Sequence, residues 1–237
     1  MFLPESDIMH KLIFCLSAGI LSLGAHAATN LHPMSATYSV LRDGKTVGDA
    51  IYTLQNNPDG TWTLRSETHG TAGMARLAGL DVREASTFRW QDGRIDGVSY
   101  DYRQDATFKH KQRRIDFDGQ QAHVQEGKDH FDYPVPQGTM DRSSVALMLG
   151  QTLAAGQREA TLPVAVRDRV EQQRFVVAGE ETITVPAGSF KAARFERTDV
   201  PGKARSWYAA NVTTLPLRVE QTQGDGSVIV LELRQRP

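Results

Sequence analysis

Three histidines are the residues of this chain whose spacing first suggests chemistry. His110, His123 and His130 fall in three successive predicted strands. Neighbouring strands lie about 4.8 Å apart, so three imidazoles in register could bind a metal such as zinc. The pattern does not fix the face on which each histidine lies, and its spacing ties no carboxylate pair to them. We therefore predict isolated surface imidazoles, with no metal and no cofactor.

Motifs for covalent or phosphate chemistry are absent from the sequence. The only cysteine is Cys15, and no Gly-x-Ser-x-Gly elbow, phosphate-binding glycine loop or His-Glu-x-x-His pattern occurs. Ser189 follows Ala-Gly in a hairpin pattern, which is not the strand-to-helix turn of a nucleophile. The sequence predicts no catalytic residue and favours a non-catalytic protein. Scattered Asp, Glu and His side chains leave a hydrolase of envelope polymers as the weakest alternative.

The sole basic run is residues 109–114, Lys-His-Lys-Gln-Arg-Arg. It could meet lipid phosphates or an acidic glycan, but lysines also protect an exposed edge strand from pairing with other chains. Residues 1–27 contain one of the 27 basic residues, Lys11, and two of the 28 acidic residues, Glu5 and Asp7. The remaining chain therefore has 27 − 1 = 26 basic and 28 − 2 = 26 acidic residues. This neutral balance favours the edge strand and argues against nucleic-acid binding.

The candidates for ligand binding are apolar. Met74 and Leu77 lie between glycines in the segment 70–79, which is interpreted as a mobile flap or a single helical turn. The alternative is a crossing loop that plugs the end of the sheet. Leu149, on the predicted helix, and Trp207, in a late strand, complete the candidate set. The sequence does not show whether these residues fill a core or line a lipophilic cavity.

Most of the chain alternates apolar and polar residues in short runs between turns, which is typical of antiparallel strands. Asp43-Gly44, Asp92-Gly93 and Asp118-Gly119 predict hairpin turns, and Ala178-Gly179 is interpreted as another. We predict a mainly β fold: one curved antiparallel meander that encloses one helix and forms a single domain over residues 28–237. A split near Gly138 into two sheets is the alternative.

One helix is expected, over residues 142–155. Asp141 is a good N-cap, and Gly156 fits the left-handed position that ends a helix. Apolar residues fall on most sides of this segment, so we expect the sheet to enclose it. Gly150 costs about 1 kcal/mol relative to alanine inside a helix, which indicates close backbone packing there.

Residues 1–27 have the pattern of a cleavable signal peptide, with the true start at Met9. A short basic segment at Lys11 precedes an apolar run over 12–23 and an Ala-His-Ala cleavage site at 25–27. The apolar run is shorter than the roughly 20 residues that span a bilayer as a helix. We predict a periplasmic chain that begins at Ala28, spans no membrane and carries no lipid anchor, because no cysteine follows the apolar run.

Several motifs together resemble a bacterial envelope family, catalogued as domain of unknown function 3108. They are Thr184-Val185-Pro186-Ala187-Gly188-Ser189-Phe190, Phe195-Glu196-Arg197, Trp207-Tyr208-Ala209 and Leu215-Pro216-Leu217-Arg218-Val219-Glu220, with Tyr38-Ser39-Val40 and Gly44-Lys45-Thr46-Val47-Gly48 near the start. The resemblance implies a periplasmic half-barrel around a helix, broadly similar to the periplasmic lipoprotein carriers. It brings no catalytic residues.

Two functions stand ahead of the hydrolase. The first is a module that binds a lipophilic or amphipathic molecule of the cell envelope. The second is a structural or adaptor protein with a filled core that presents a surface to another envelope protein. A connected apolar cavity would favour the first, and a convergent carboxylate pair in a cleft would favour the hydrolase.

Overall fold

The computed structural model describes residues 30–200, 202 and 204–235. The predicted signal peptide, residues 1–27, lies outside them. The N-terminal part contains strands β1 (Met34–Arg42), β2 (Lys45–Asn56), β3 (Trp62–Gly70), β4 (Asp81–Gln91), β5 (Arg94–Ala106), β6 (Lys109–Phe117), β7 (Gln121–Glu126) and β8 (Asp129–Pro134), with helix α1 (Gly73–Leu77) after β3. Helix α2 (Ser144–Ala154) precedes β9 (Glu159–Ala165), β10 (Val170–Val185), β11 (Gly188–Arg197), β12 (Ala204–Tyr208), β13 (Arg218–Thr222) and β14 (Val228–Gln235).

The 14 strands of the described residues belong to one antiparallel sheet, in the order β8 to β1, then β14 to β9. Consecutive strands pair with each other, except for β8 and β9, which are the two edges of the sheet. In addition, β1 pairs with β14 and so joins the two meanders. The strands before and after residue 138 therefore share one sheet. The prediction of a mainly β antiparallel meander is confirmed.

The sheet is open between its edge strands, β8 and β9, but these edges approach each other. Met140 forms a parallel bridge with Val164 of β9, and the Tyr133 hydroxyl on β8 donates to the Val166 carbonyl at 2.5 Å. The segment before α2 thus covers part of the gap. The sheet is therefore curved enough to bring its two edge strands near each other.

Two hairpin turns show why Asp-Gly pairs mark the ends of strands. Asp43 and Gly44 have φ of 49° and 76°, and Asp92 and Gly93 have 52° and 74°. Two successive left-handed residues make the turn whose twist matches that of paired strands. These turns confirm the sequence prediction.

Ala178-Gly179 is not a turn, so that prediction is wrong. Strand β10 continues from Val170 to Val185, and its register against β11 shifts between Val177 and Gly179. One extra residue on one strand is a β-bulge, which bends the strand without ending it. Glycine therefore marks a bend here.

The basic run is not on an edge strand, so that interpretation is also wrong. Strand β6 pairs with β5 on one side and with β7 on the other. Its pairing with β7 begins only at Arg113, so residues 109–112 extend past the end of β7. Lysines can therefore protect only the unpaired edge of residues 109–112 from pairing with other chains.

Helix α2 has no exposed residue. The Asp141 carboxylate accepts hydrogen bonds from the backbone N–H groups of Ser143 and Ser144, as expected of an N-cap. Gly156 has φ of 76°, and Gln157 N–H donates to the Thr152 carbonyl, which closes the C-terminal turn. The Tyr208 hydroxyl of β12 donates to the Ala146 carbonyl, so α2 packs against the second meander.

The buried apolar residues in the described part of the chain form two clusters. The larger combines α2 with both meanders, for example Leu147 with Leu54, Phe88, Phe195 and Leu233. The smaller lies near the edges, around Tyr100, Ile115, Val124 and Tyr133. Helix α1 has no buried residue and contributes to neither cluster. The sequence analysis interpreted this segment as either a mobile flap or a single helical turn, and the structure shows the short helix.

Candidate functional site

The four predicted ligand residues do not come together. Leu149 and Trp207 are both buried in the larger core cluster. Trp207 Nε1 donates to Glu181 at 2.8 Å, which satisfies its polar atom. Met74 and Leu77 are exposed on α1 and belong to neither cluster. A direct role of these four residues in binding stays a prediction.

The three histidines are also separate. His110 contacts Asp105 at 2.9 Å, and His123 contacts Asp132 at 2.7 Å. Two aspartates raise the pKa of His123 through hydrogen bonds, Asp132 more than Asp118. Within the described part of the chain, no group of three or more His, Cys, Asp or Glu side chains could hold a metal ion.

A pocket at the N-terminal end of α2 combines an apolar wall with a charged pair, and we name it the Arg142 pocket. Its volume is about 280 Å³. The apolar wall is formed by Tyr38, Tyr52, Leu215, Pro216, Val219 and Leu231, and Glu84 and Arg142 supply the charges. Small-molecule sites are commonly apolar clefts with a few convergent polar groups. The Arg142 pocket has this composition.

A hydrogen-bond network fixes the charged pair. Arg142 Nη2 donates to Glu84 Oε1 at 3.1 Å, and Arg142 Nε donates to the Tyr100 hydroxyl at 2.7 Å. That hydroxyl donates in turn to Glu84 Oε2 at 2.5 Å. The guanidinium also lies over the Tyr102 ring, 4.4 Å from its centroid. The three residues Glu84, Tyr100 and Tyr102 therefore hold Arg142 in one position.

The neighbours of Arg142 do not use all of its hydrogen-bond donors. A guanidinium has five N–H donors. Nε and Nη2 are engaged, whereas Nη1 makes no hydrogen bond within the described residues. The Arg142 side chain is 49% exposed and that of Glu84 only 18%. A ligand oxygen can therefore reach Arg142 more readily than Glu84.

The environment keeps these groups in defined charge states. Burial raises the pKa of Tyr100, and the nearby Glu84 carboxylate raises it further. Burial works to lower the pKa of Arg142, but Glu84 and Tyr100 outweigh it and the pKa is raised. At neutral pH the site thus presents a neutral tyrosine and a permanent cation.

Asp141 is a second carboxylate close to this network, but it is not available to a substrate. It is buried, accepts a hydrogen bond from the Ser86 hydroxyl and caps α2. Burial raises the pKa of Asp141 above its ordinary value. A general acid must reach the bond that it protonates. Glu84 and Asp141 therefore do not form the open carboxylate pair that is typical of a glycoside hydrolase.

A second pocket lies at the opposite side of α2. Its volume is about 300 Å³, and its lining includes Met148, Thr152, Ala160 and Leu162. None of its lining groups forms a charged network like that around Arg142. We name it the Ala160 pocket.

The family model of the DUF3108 family, described as a protein of unknown function, matches residues 34–234. The chain belongs to the DUF3108 family. No curated protein matches it significantly. The match covers nearly the whole described fold, including Glu84, Tyr100 and Arg142.

Two solved structures are similar to this DUF3108 chain. One is a beta-barrel-like protein of domain of unknown function DUF1849 from Brucella abortus, with 14% identity and a TM-score of 0.52 over 88% of this chain and 98% of that chain. The other is a duf1089 family protein from Pseudomonas aeruginosa, with 14% identity and a TM-score of 0.38 over 76% and 88%. The first shows a shared fold.

Sequence reasoning missed Glu84 and Arg142 as a pair. Tyr100 and Tyr102 are two residues apart in one strand and therefore share a face, and Arg142 follows the predicted N-cap directly. Nothing local connects them to Glu84, which lies 58 residues before Arg142. Only the register of β4 and β5 and the position of α2 bring these residues together.

Proposed function

We propose that this DUF3108 protein is an exported envelope protein that binds a small amphipathic molecule in the Arg142 pocket. The observation that carries the proposal is a fixed, half-exposed cation beside an apolar wall of about 280 Å³. Such a site suits a ligand with an apolar body and an oxygen-bearing polar end.

The two parts of the ligand have different roles. Its apolar body would contact Val219, Leu231 and Pro216 and gain roughly 25 cal/mol for each Å² removed from water. Its oxygen would accept from the unused Nη1 donors of Arg142. Because Glu84 and Tyr100 already hold the guanidinium, little side-chain entropy is lost on binding.

The site differs from the central cavity of a lipid carrier. The concave interior is occupied by α2, whose residues are all buried or half-buried. We therefore infer a carrier-like barrel whose ligand sits beside the helix. Leu149 and Trp207 would affect binding only through the fold, and Met74 and Leu77 only at an entrance, since none of them lines the Arg142 pocket.

Periplasmic location is part of the proposal and has its own test. The signal-peptide pattern of residues 1–27 supports export followed by cleavage after Ala27. Intact-mass measurement of the exported product should give a chain that begins at Ala28 with no lipid attached. Retention of residues 9–27 would contradict export through a cleavable signal. Among the described residues, no helix is long and apolar enough to cross a bilayer.

Native mass spectrometry of gently purified protein tests ligand binding. Wild type should carry an adduct that organic extraction removes. Arg142→Gln should lose most of it, because the polar end loses its donor. Arg158→Gln is the matched control, since Arg158 is also a half-exposed arginine paired with one glutamate, Glu180. It should retain the adduct.

Absence of an adduct in wild type, with no binding of an apolar fluorescent probe, would contradict the proposal. Equal retention by both variants would contradict the role of Arg142. The filled interior then favours the second function, a structural or adaptor protein, because two continuous buried clusters give the sheet a rigid core.

A further inference from the structure

Three large apolar side chains protrude at one end of the sheet, and we name them the apolar tip. Met74 and Leu77 on α1 are each 77% exposed, and Phe108 in the β5–β6 turn is 98% exposed. Single exposed apolar residues are ordinary, but several at one location mark an interaction surface.

The apolar tip is held in place by backbone contacts. The Thr107 N–H and hydroxyl both donate to the Ala78 carbonyl, at 2.9 and 3.0 Å, which ties the β5–β6 turn to the segment of α1. A side chain at Gly70 would come within 2.6 Å of the Ala75 backbone, so α1 lies directly on β3. The protruding side chains thus sit on a fixed base.

Cations without partners surround the apolar tip. Arg76, Lys109 and Lys111 are exposed and form no ion pair within the described residues. Other cations of this region are paired: Arg103 with Asp105, Arg113 with Glu126, and Arg114 with Asp116. Asp105 thus pairs with both Arg103 and His110. The cations Arg76, Lys109 and Lys111 are therefore free to attract an anionic surface.

We propose that the apolar tip docks on an anionic lipid bilayer. Side chains such as Phe and Leu enter the boundary between headgroups and acyl chains, while nearby Lys and Arg attract anionic headgroups. A stable protein interface needs about 800 Å² per partner around a packed centre. Three protruding side chains ringed by unpaired cations fit a fluid anionic surface better than such an interface.

Docking would also orient the Arg142 pocket. Glu84 lies near the start of β4 and Gln221 near the end of β13, and β4 begins next to α1. The pocket is therefore nearer to the tip-bearing ends of these strands than to the opposite ends. The proposal itself does not depend on ligand binding.

Vesicle flotation tests membrane docking. Phosphatidylcholine vesicles with and without phosphatidylglycerol are mixed with the chain from Ala28 onward, because the apolar run at 12–23 would itself bind lipid. The 14 strands that the structure describes all lie after that point. Wild type should float with the anionic vesicles at low salt, and much less with neutral vesicles.

Matched variants locate the contact. Phe108→Ser should weaken binding roughly tenfold or more, whereas Ile51→Ser, at a 45% exposed position on the middle of β2, should not change it. Lys109→Gln with Lys111→Gln should weaken it roughly 25-fold, at about fivefold for each cation. Arg89→Gln with Arg94→Gln removes the same charge at the opposite ends of β4 and β5 and should have little effect.

Failure of folded wild type to float with anionic vesicles would overturn the proposal and leave a protein as the occupant of the tip. Equal binding to neutral vesicles, or equal losses in tip and control variants, would also overturn it. Circular dichroism of each variant should match wild type, since every substituted side chain is exposed. Vesicle binding by Arg142→Gln should be unchanged, which separates this test from that of the ligand.

Discussion

The two ends of α2 meet the sheet in opposite ways. Toward its C-terminus, Gly150 lies so close to the neighbouring loop that a side-chain carbon would come within 1.8 Å of the Thr214 carbonyl oxygen. Toward its N-terminus, Arg142 and Ala146 border a pocket of about 280 Å³. At Gly150 the helix backbone packs directly against the backbone of Thr214. At Arg142 the contacts are side-chain hydrogen bonds beside a pocket.

The difference separates what builds the fold from what builds the site. Close backbone approach leaves no room for a ligand but fixes the helix in the barrel-like sheet. At the other end, Glu84, Tyr100 and Arg142 form hydrogen bonds with one another, and Arg142 keeps N–H donors that these bonds do not use. Substitutions at the first end should therefore affect stability, and those at the second should affect binding.

The largest effect is expected at the Gly150 end of α2. Gly150→Val should destabilise the protein by more than about 4 kcal/mol, because its neighbour is backbone and cannot move aside. Gly156→Ala is the control: no atom lies within 4 Å of its added carbon, and only the left-handed φ of 76° is strained. It should cost about 1–2 kcal/mol. Urea unfolding measures both, and similar losses would contradict the close approach.

The next effect concerns core packing on the same helix. Leu149→Ala should cost about 2–5 kcal/mol through lost burial and a residual cavity. Met148→Ala should cost less, since Met148 is half-buried beside the Ala160 pocket. Thermal unfolding monitored by circular dichroism compares them. A melting temperature of Leu149→Ala equal to that of wild type would show that α2 is not enclosed.

At the Arg142 end, Glu84→Gln should act on both stability and binding, but modestly. It removes one charge of a pair whose arginine is half-exposed, so about 1 kcal/mol of stability should be lost. Arg142 would be held less firmly, and ligand retention should fall several-fold. Glu180→Gln, which affects the exposed pair with Arg158, should change neither quantity. If Glu84→Gln has the same stability and ligand retention as wild type, the proposed role of the hydrogen-bond network is contradicted.

The smallest effect is a pH dependence from Asp141. Burial raises the pKa of Asp141, so the folded state holds this proton to higher pH than the unfolded state. Stability from this group should therefore be present at low pH and fall as pH rises from the unfolded value, about 3.9, through the raised folded value. Asparagine at this position can still cap α2, so Asp141→Asn should remove this contribution to the change of stability with pH without loss of the cap. Urea midpoints over this pH range measure it, and an unchanged slope would contradict the assignment.

Local signals in the sequence predict much of the fold. Asp43-Gly44, the Asp141 cap, Gly156 and the close packing at Gly150 each follow from the chemistry of one or two residues. The bulge at Ala178 does not, because glycine marks both turns and bends. The pairing of Glu84 with Arg142 depends on strand register across 58 residues. The exposure of Met74 and Phe108 also escapes prediction, since apolar side chains usually indicate a core.

Blocking each pocket in turn tests the central claim most directly. Val219→Trp fills the Arg142 pocket, and Ala160→Trp fills the Ala160 pocket; both residues are half-buried and lie on strands. Equilibrium dialysis with anilinonaphthalene sulfonate, an anionic amphipathic dye, measures binding to each folded variant. We expect wild type and Ala160→Trp to bind the dye alike, and Val219→Trp to bind it at least roughly tenfold more weakly. Undiminished binding by Val219→Trp, or an equal loss in Ala160→Trp, would contradict the Arg142 pocket as the binding site.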